Sequence, residues 1–240
     1  MLRSTVRNDA MPSSTAEHYP QLISLAVHEF RTPASVVGGY LRMLQRDSDQ
    51  PLSDRQRKMI DEAEKSCARL VNIIAELSDI GKLDAGLIAL NPRPMDFFAL
   101  VREVAGHVQE ARDRDVHLSM RGDTAEAPIN GDAARLRTAI DAIFRSILRE
   151  KAGPAAVAAE ARRDKIDGRT SAVIVVGDEE RVQEAYTRPR GPFDEKRGGL
   201  GLALPLARRV IEGHGGRLLS PEGDDAIARG SAIIVIPVTE

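Results

Sequence analysis

Tryptophan is absent from this 240-residue chain, and aromatic residues make up only 3% of it. Too few flat rings remain to build a platform on which nucleic-acid bases stack. Charge of one sign is lacking too: 34 Lys and Arg against 36 Asp and Glu leave a formal net charge of −2. No broad field steers such a chain toward nucleic acid or an anionic membrane. Cysteine occurs once, at Cys67. That excludes a disulfide within the chain and a cysteine-built metal site, and it suits a reducing compartment. No apolar run reaches the ~18 residues that suggest a membrane span, and the first residues lack the apolar core of a secretory signal. The expectation is a soluble cytoplasmic protein with no nucleic-acid partner and no membrane segment in this chain.

What is present begins with helical periodicity. Residues 1–17 are polar and aperiodic and read as a flexible tail. From Tyr19 or Pro20 to about Gln45 the pattern predicts a helix, with Pro20 in its first turn. Ile23, Ala26, Phe30, Pro33, Val37, Tyr40 and Leu44 recur at steps of three and four and form one packing stripe. His28 and Glu29 fall outside that stripe and face outward. Residues 46–52 read as a tight polar connection. Ser53 followed by Gln56 is a capping box that opens a second helix. Its stripe is Ile60, Ala63, Cys67, Leu70, Ile74 and Leu77, and Gly81 and the segment Leu83–Gly86 mark its end. Two such helices make an antiparallel hairpin with an apolar stripe on each member. The expected consequence is a homodimer in which two hairpins form a four-helix bundle.

From Ile88 the pattern turns to mixed helix and strand, so residues 18–87 and 88–240 are expected to be separate domains. Asp96 caps a helix through about residue 114, and Val116–Met120 alternates as a strand. Asp132 opens a helix whose Leu136, Ile140, Ile143, Ile147 and Leu148 share a buried face. Strands are expected at 155–161, 171–176, 217–219 and 232–236, and a helix at 200–213. The polar stretch 178–198 reads as a mobile loop. This order favours a sheet with helices on one face.

The string His28-Glu-Phe-Arg-Thr-Pro33 resembles the H box of the sensor histidine kinases. A second stretch, Gly198-Gly-Leu-Gly-Leu-Ala-Leu204 with PLARRVIEGHGG after it, resembles the glycine-rich G2 box of the same family. The resemblance runs from about Tyr19 to Pro237. It implies an α + α/β fold: a dimeric phosphoacceptor hairpin followed by an α/β sandwich of the histidine kinase ATPase type. It also implies ATP and Mg2+ as cofactors and a response-regulator receiver domain as partner.

The residues suit that chemistry. A neutral imidazole in solvent is a competent nucleophile near neutral pH. Glu29 beside it can take the proton from the other ring nitrogen as His28 attacks phosphorus. Thr32 lies one turn on, where the resemblance implies a part in dephosphorylating the receiver, and Arg31 is available to offset phosphate charge. Pro33 cannot donate to the carbonyl of Glu29 and so loosens the helix at the reactive turn. A zinc site of the H-E-x-x-H kind is excluded, because Thr32 stands at the second histidine position.

The nucleotide motifs depart from the family. Asp178, at the end of the 171–176 strand region, matches the aspartate that reads the adenine amino group. The pattern D-x-G-x-G, however, becomes Asp178-Glu-Glu-Arg-Val182, with Glu180 at the first glycine. Aligning the 132–150 helix puts Ala142 and Ser146 where the family has asparagines. Ser146 could offer a hydroxyl to the metal and Arg149 could reach a phosphate. Gly199 and Gly201 are expected to approach the phosphates, and Arg197 stands at the family's first glycine. Phe193 resembles the F-box phenylalanine, and only Asp194–Gly198 remain as a lid. The leading expectation is a protein-histidine kinase that phosphorylates His28 from ATP and passes the phosphate to a receiver aspartate. The alternatives are an ATP-independent phosphotransferase or receiver phosphatase, and a protein that only sequesters a receiver. His214 reads as a helix cap, His107 and His117 have no partner pattern, and Cys67 reads as core.

Overall fold

Helix α1 spans Ser13–Arg46 and contains both Pro20 and Pro33. It begins earlier than the sequence predicts, so Pro20 is an interior residue, not a first-turn one. In this computed structural model the described residues are 13–47, 51–123 and 125–239, with side chains from residue 19 onward. The expected tail therefore lies mostly outside the described residues. The chain divides into two compact units, Met1–Ile88 and Ala89–Glu240.

In the first unit α2 spans Asp54–Asp84 and starts as the capping box predicts. The Ser53 hydroxyl accepts from the Gln56 amide, and the Ser53 amide donates to the Gln56 side chain at 3.0 Å. The helix runs through Gly81 and stops at Ala85, with Gly86 left-handed at φ +63°. The pairing of α1 and α2 is antiparallel. A Cβ on Gly81 would come within 2.9 Å of Ile23, Cys67 Sγ lies 3.2 Å from the Ala34 carbonyl, and Gln45 donates to Asp61 and Glu64. Ile23, Val27 and Ile74 form the buried seam, with Ala34 and Leu77 against it. Each such buried side chain contributes about 1.5–3 kcal/mol.

The stripe on α1 differs from the expected one. Ile23, Val27, Ala34 and Gly38 meet α2, whereas Phe30, Val37, Tyr40 and Leu44 of the predicted stripe are exposed in the single chain. On α2 Cys67 and Ile74 are buried as predicted, and Leu70 is exposed. A helix with apolar residues on two adjacent faces satisfies one face within the hairpin and leaves the other open. The periodicity alone does not say which is which.

In the second unit β1 is Arg93–Asp96 and α3 is Phe97–His107. Asp96 caps α3 through the Phe98 amide at 3.0 Å and also accepts from Ala127 at 2.9 Å. The predicted helix to 114 ends early, and Arg112–Arg114 form a separate 3-10 turn. Next come β2 (Val116–Gly122), β3 (Pro128–Gly131), α4 (Ala133–Arg149), β4 (Ala155–Ile166) and β5 (Arg169–Asp178). Then follow α5 (Val182–Thr187), β6 (Arg190–Pro192), α6 (Ala203–Gly213), β7 (Arg217–Pro221), α7 (Ala226–Arg229) and β8 (Ala232–Pro237).

The large sheet has the order β2-β4-β5-β8-β7-β6, and β1 pairs with β3 in a small second sheet. Only the β2–β4 pairing in the large sheet is parallel. Strands β4 and β5 are joined by Asp167-Gly168, both at positive φ, a two-residue turn that suits the strand twist.

Val173 and Val175 pack with Val182 and Ala185 of α5 and Ile227 of α7. Ile174 and Val176, which alternate with them, point to the opposite face and are also fully buried. On that second face α4 lies between α3 and α6. The expectation of helices on one face thus gives way to cover on both. The expected mobile loop 178–198 is the reason: it contains α5 and β6, and it seats Val182 and Ala185 in the core. Among the described residues no helix is long and apolar enough to cross a membrane.

Candidate functional site

The reactive turn of α1 carries the first group of candidates. The His28 side chain is 80% exposed, and its Nδ1 lies 3.4 Å from Oε1 of Glu29, itself 68% exposed. Thr32 is one turn on, its Oγ1 3.5 Å from the His28 carbonyl, at the outer limit for a hydrogen bond. Pro33 has no amide hydrogen, so the Glu29 carbonyl lacks its helical donor one residue after His28. The three predicted residues share one exposed patch.

The second group lies in the second unit, around the C-terminal end of α4. Ser146 is fully buried, and its hydroxyl donates to the Ile143 carbonyl at 2.7 Å. Ala142 is buried too. Ser146 was expected to offer an oxygen to a metal; this geometry does not present one, because the hydroxyl faces its own helix. Among the described residues no group of three or more His, Cys, Asp or Glu side chains is gathered for a metal. The α4 residues present do not fit a magnesium ligand set.

The backbone of Ser146 explains why residue 198 is a glycine. The Gly198 backbone is left-handed at φ +60°, and a Cβ there would come within 2.9 Å of Ser146 Cα. The glycine loop therefore rests directly on α4. Two neighbours hold it there: Arg149 donates to the Gly198 carbonyl at 3.2 Å, and Glu150 accepts from the Gly198 amide at 3.2 Å. Arg149 is further tied to Glu110 by its Nε at 3.0 Å. Burial works against the charge on Glu110, but the Arg149 and Arg145 guanidinium groups outweigh it and hold the carboxyl below its ordinary range. Gly199 and Gly201 are also left-handed, at φ +59° and +67°, and exposed.

Asp178 ends β5, as predicted, and Glu180 points outward into solvent. The carboxylate of Asp178 is engaged by Lys151, whose Nζ lies 2.5 Å from Oδ1. Arg197 supplies a further tie. Its guanidinium donates to the carbonyls of Ser231 at 2.8 Å and Ala228 at 3.0 Å and stacks 4.6 Å from the buried Phe193 ring. Burial lowers its pKa from the ordinary arginine value, against the opposing charges of Asp194 and Glu150.

The structure thus brings Arg149, Ser146 and the glycine loop together around Gly198. Sequence reasoning missed Lys151 and Glu150 as members of this cluster, and it placed Gly198 in the glycine string without giving it a role of its own. Gly198 had a signal, a glycine beside two others ahead of a helix. Lys151 had none, since it meets Asp178 across 27 positions of chain.

Residues 21–86 match the family described as His Kinase A (phospho-acceptor) domain. Over 227 residues, 90% of the chain, it is 25% identical to the circadian input-output histidine kinase CikA of Synechococcus elongatus, covering 29% of that protein. Its fold is similar to that of ShkA, solved full-length in complex with AMPPNP: TM-score 0.66 at 23% identity, covering 92% of this chain and 46% of that one. It is also similar to ThkA, solved in complex with the response regulator protein TrrA: TM-score 0.55 at 15% identity, covering 97% of this chain and 68% of that one. The chain spans about a quarter of the length of the curated relatives it matches, 24% and 29% for the first two.

Proposed function

We propose that this chain is a sensor histidine kinase in which His28 is phosphorylated from ATP and passes its phosphoryl group to a receiver aspartate of a response regulator. The observation that carries this reading is the exposed imidazole with its Nδ1 turned to Glu29. A carboxylate only accepts, so the ring proton stays on Nδ1 and the lone pair on Nε2. Nε2 attacks the γ-phosphorus of ATP. The N–P bond forms, the bond to the bridging oxygen breaks, and ADP leaves with that electron pair. The Nδ1 proton passes to Glu29, which keeps the phosphorylated ring neutral. In the second step a receiver carboxylate oxygen takes the phosphoryl group, the N–P bond breaks, and the proton returns to the imidazole. Thr32 is assigned to orienting water when receiver phosphate is hydrolysed.

The working form is a homodimer in the cytoplasm. Phe30, Val37, Tyr40 and Leu44 of α1 with Met59 and Leu70 of α2 are large apolar side chains open to solvent in the single hairpin. A second hairpin covering them would complete a four-helix bundle. Residues 18–87 would serve as the dimerisation and phosphoacceptor domain and 88–240 as the catalytic domain. Asp178, Arg149, Gly199 and Gly201 are assigned to nucleotide. Mg2+ is expected with ATP, but Ala142 and Ser146 give it no oxygen, and no step here relies on them. The names of the relatives favour this reading over the ATP-independent alternative.

The test is transfer of label from γ-labelled ATP to the purified chain. Acid-labile label on the wild type, absent in His28→Ala and slowed about a hundredfold or more in Glu29→Gln, is the expected result. A wild-type chain that takes no label at millimolar Mg-ATP would overturn it.

A further inference from the structure

We propose that Lys151 is a nucleotide-affinity determinant that acts as an internal competitor: its ammonium occupies the carboxylate of Asp178, and a purine base must expel it to bind. This inference rests on the assignment of Asp178 to the base site made above. Three observations support it. The Lys151 side chain is 12% exposed and its Nζ lies 2.5 Å from Asp178 Oδ1, so the pair is mostly withdrawn from water on the lysine side. Gly230 gives the ammonium its room, since a Cβ there would stand 3.1 Å from Nζ. The segment that carries Gly230 is fastened as well, through Arg197 on the Ala228 and Ser231 carbonyls.

The chemistry of competition is direct. An exocyclic amino group on a purine donates a neutral hydrogen bond, and a lysine ammonium donates a charged one to the same oxygen. The charged donor is roughly twice as strong. The base therefore binds only after a charge-assisted contact is broken and the ammonium is moved to water. Affinity is reduced by the fraction of molecules in which Asp178 is open.

Adenosine is the suitable probe, because it carries no phosphate and loss of a cation does not change its electrostatic attraction. Titration of the full chain by calorimetry is expected to show at least tenfold tighter adenosine binding in Lys151→Met and Lys151→Gln than in wild type. Lys151→Arg should keep the wild-type affinity, and Asp178→Asn added to Lys151→Met should remove the gain. Thermal melting of each variant checks that the unit is folded, and the two neutral substitutions back each other. Adenosine affinity within twofold of wild type in both neutral variants overturns the proposal, as does the absence of binding in all of them. The outcome is separable from the kinase reading. Tighter adenosine without label on His28 sinks the kinase and keeps the competitor; label on His28 with unchanged adenosine affinity does the reverse.

Discussion

Nε2 of His214 accepts the backbone N–H of Asp132 at 2.9 Å, which ties the end of α6 to the first residue of the α4 cap. The other ring nitrogen, Nδ1, is 2.6 Å from the Val210 carbonyl, which can only accept. The two contacts together define a neutral ring with its hydrogen on Nδ1.

His214→Ala leaves the Asp132 amide without its partner at a half-buried position. The expected loss is about 1–3 kcal/mol of stability in the second unit, the cost of an unsatisfied polar group. Urea unfolding followed by circular dichroism would read it as a lower midpoint at unchanged slope. An unchanged midpoint would show that the contact contributes nothing.

Acid should weaken the same unit. Burial opposes the charge on Asp132, but the amides of Arg135 and Asn91 and the Arg135 guanidinium hold its carboxyl below the ordinary value of 3.8. Glu110 is held below its ordinary 4.5 in the same direction. A carboxyl lowered in the folded state contributes stability that is fully present above its unfolded pKa and is lost as pH falls through the folded one. The melting temperature should therefore hold above pH 5 and drop below about pH 4. Asp132→Asn should reduce the size of that drop, and an equal drop in the variant would rule out Asp132 as a contributor.

Gly198→Ala faces two costs at once. A left-handed backbone costs a non-glycine residue about 1–2 kcal/mol. Its Cβ would also meet the Ser146 backbone at 2.9 Å, which no side-chain movement relieves. The loop should lift from α4, so trypsin should cut after Lys196 or Arg197 faster than in wild type. Equal cleavage rates would show that the loop was not seated there.

Gly81→Ala tests the hairpin seam. The added methyl would lie 2.9 Å from Ile23 Cγ2, and overpacking of this kind costs about 1–3 kcal/mol. Ile23→Ala should cost less in that background than in wild type, because it removes Cγ2, the atom the new methyl meets. A double-mutant cycle with no coupling energy would contradict the contact.

The local signals were legible in sequence. Ser53 with Gln56, Asp96 and Asp132 each start a helix where their side chains bond the first free amides. Stripe spacing identified both hairpin helices but did not separate the face of α1 that meets α2 from the adjacent face left open in the single hairpin, because the two stripes differ by a single residue and only the partner decides between them. The stretch 178–198 read as loop because its polar residues outnumber Val182 and Ala185, whose burial depends on a sheet face formed by distant strands. The exposed turn that carries His28, Glu29 and Thr32 is contiguous in sequence, so its residues could be named together without the fold. The ties at Asp178 and Gly198 join segments 27 and 49 positions apart, and no local pattern encodes them.

The two-residue turn at Asp167-Gly168 also bears on how quickly the second unit forms. Strands β4 and β5 extend the ladder for ten pairs from that turn, from Ile166–Arg169 out to Val157–Asp178. Loop-closure entropy is least for the shortest loop, and each further pair adds to one already made. Such a ribbon assembles in microseconds, whereas the parallel β2–β4 pairing must wait for α4 to cross between them. The β4–β5 ribbon is thus the expected template onto which β8 and β2 condense, and substitutions near residues 167 and 168 should alter the rate of folding more than the rate of unfolding.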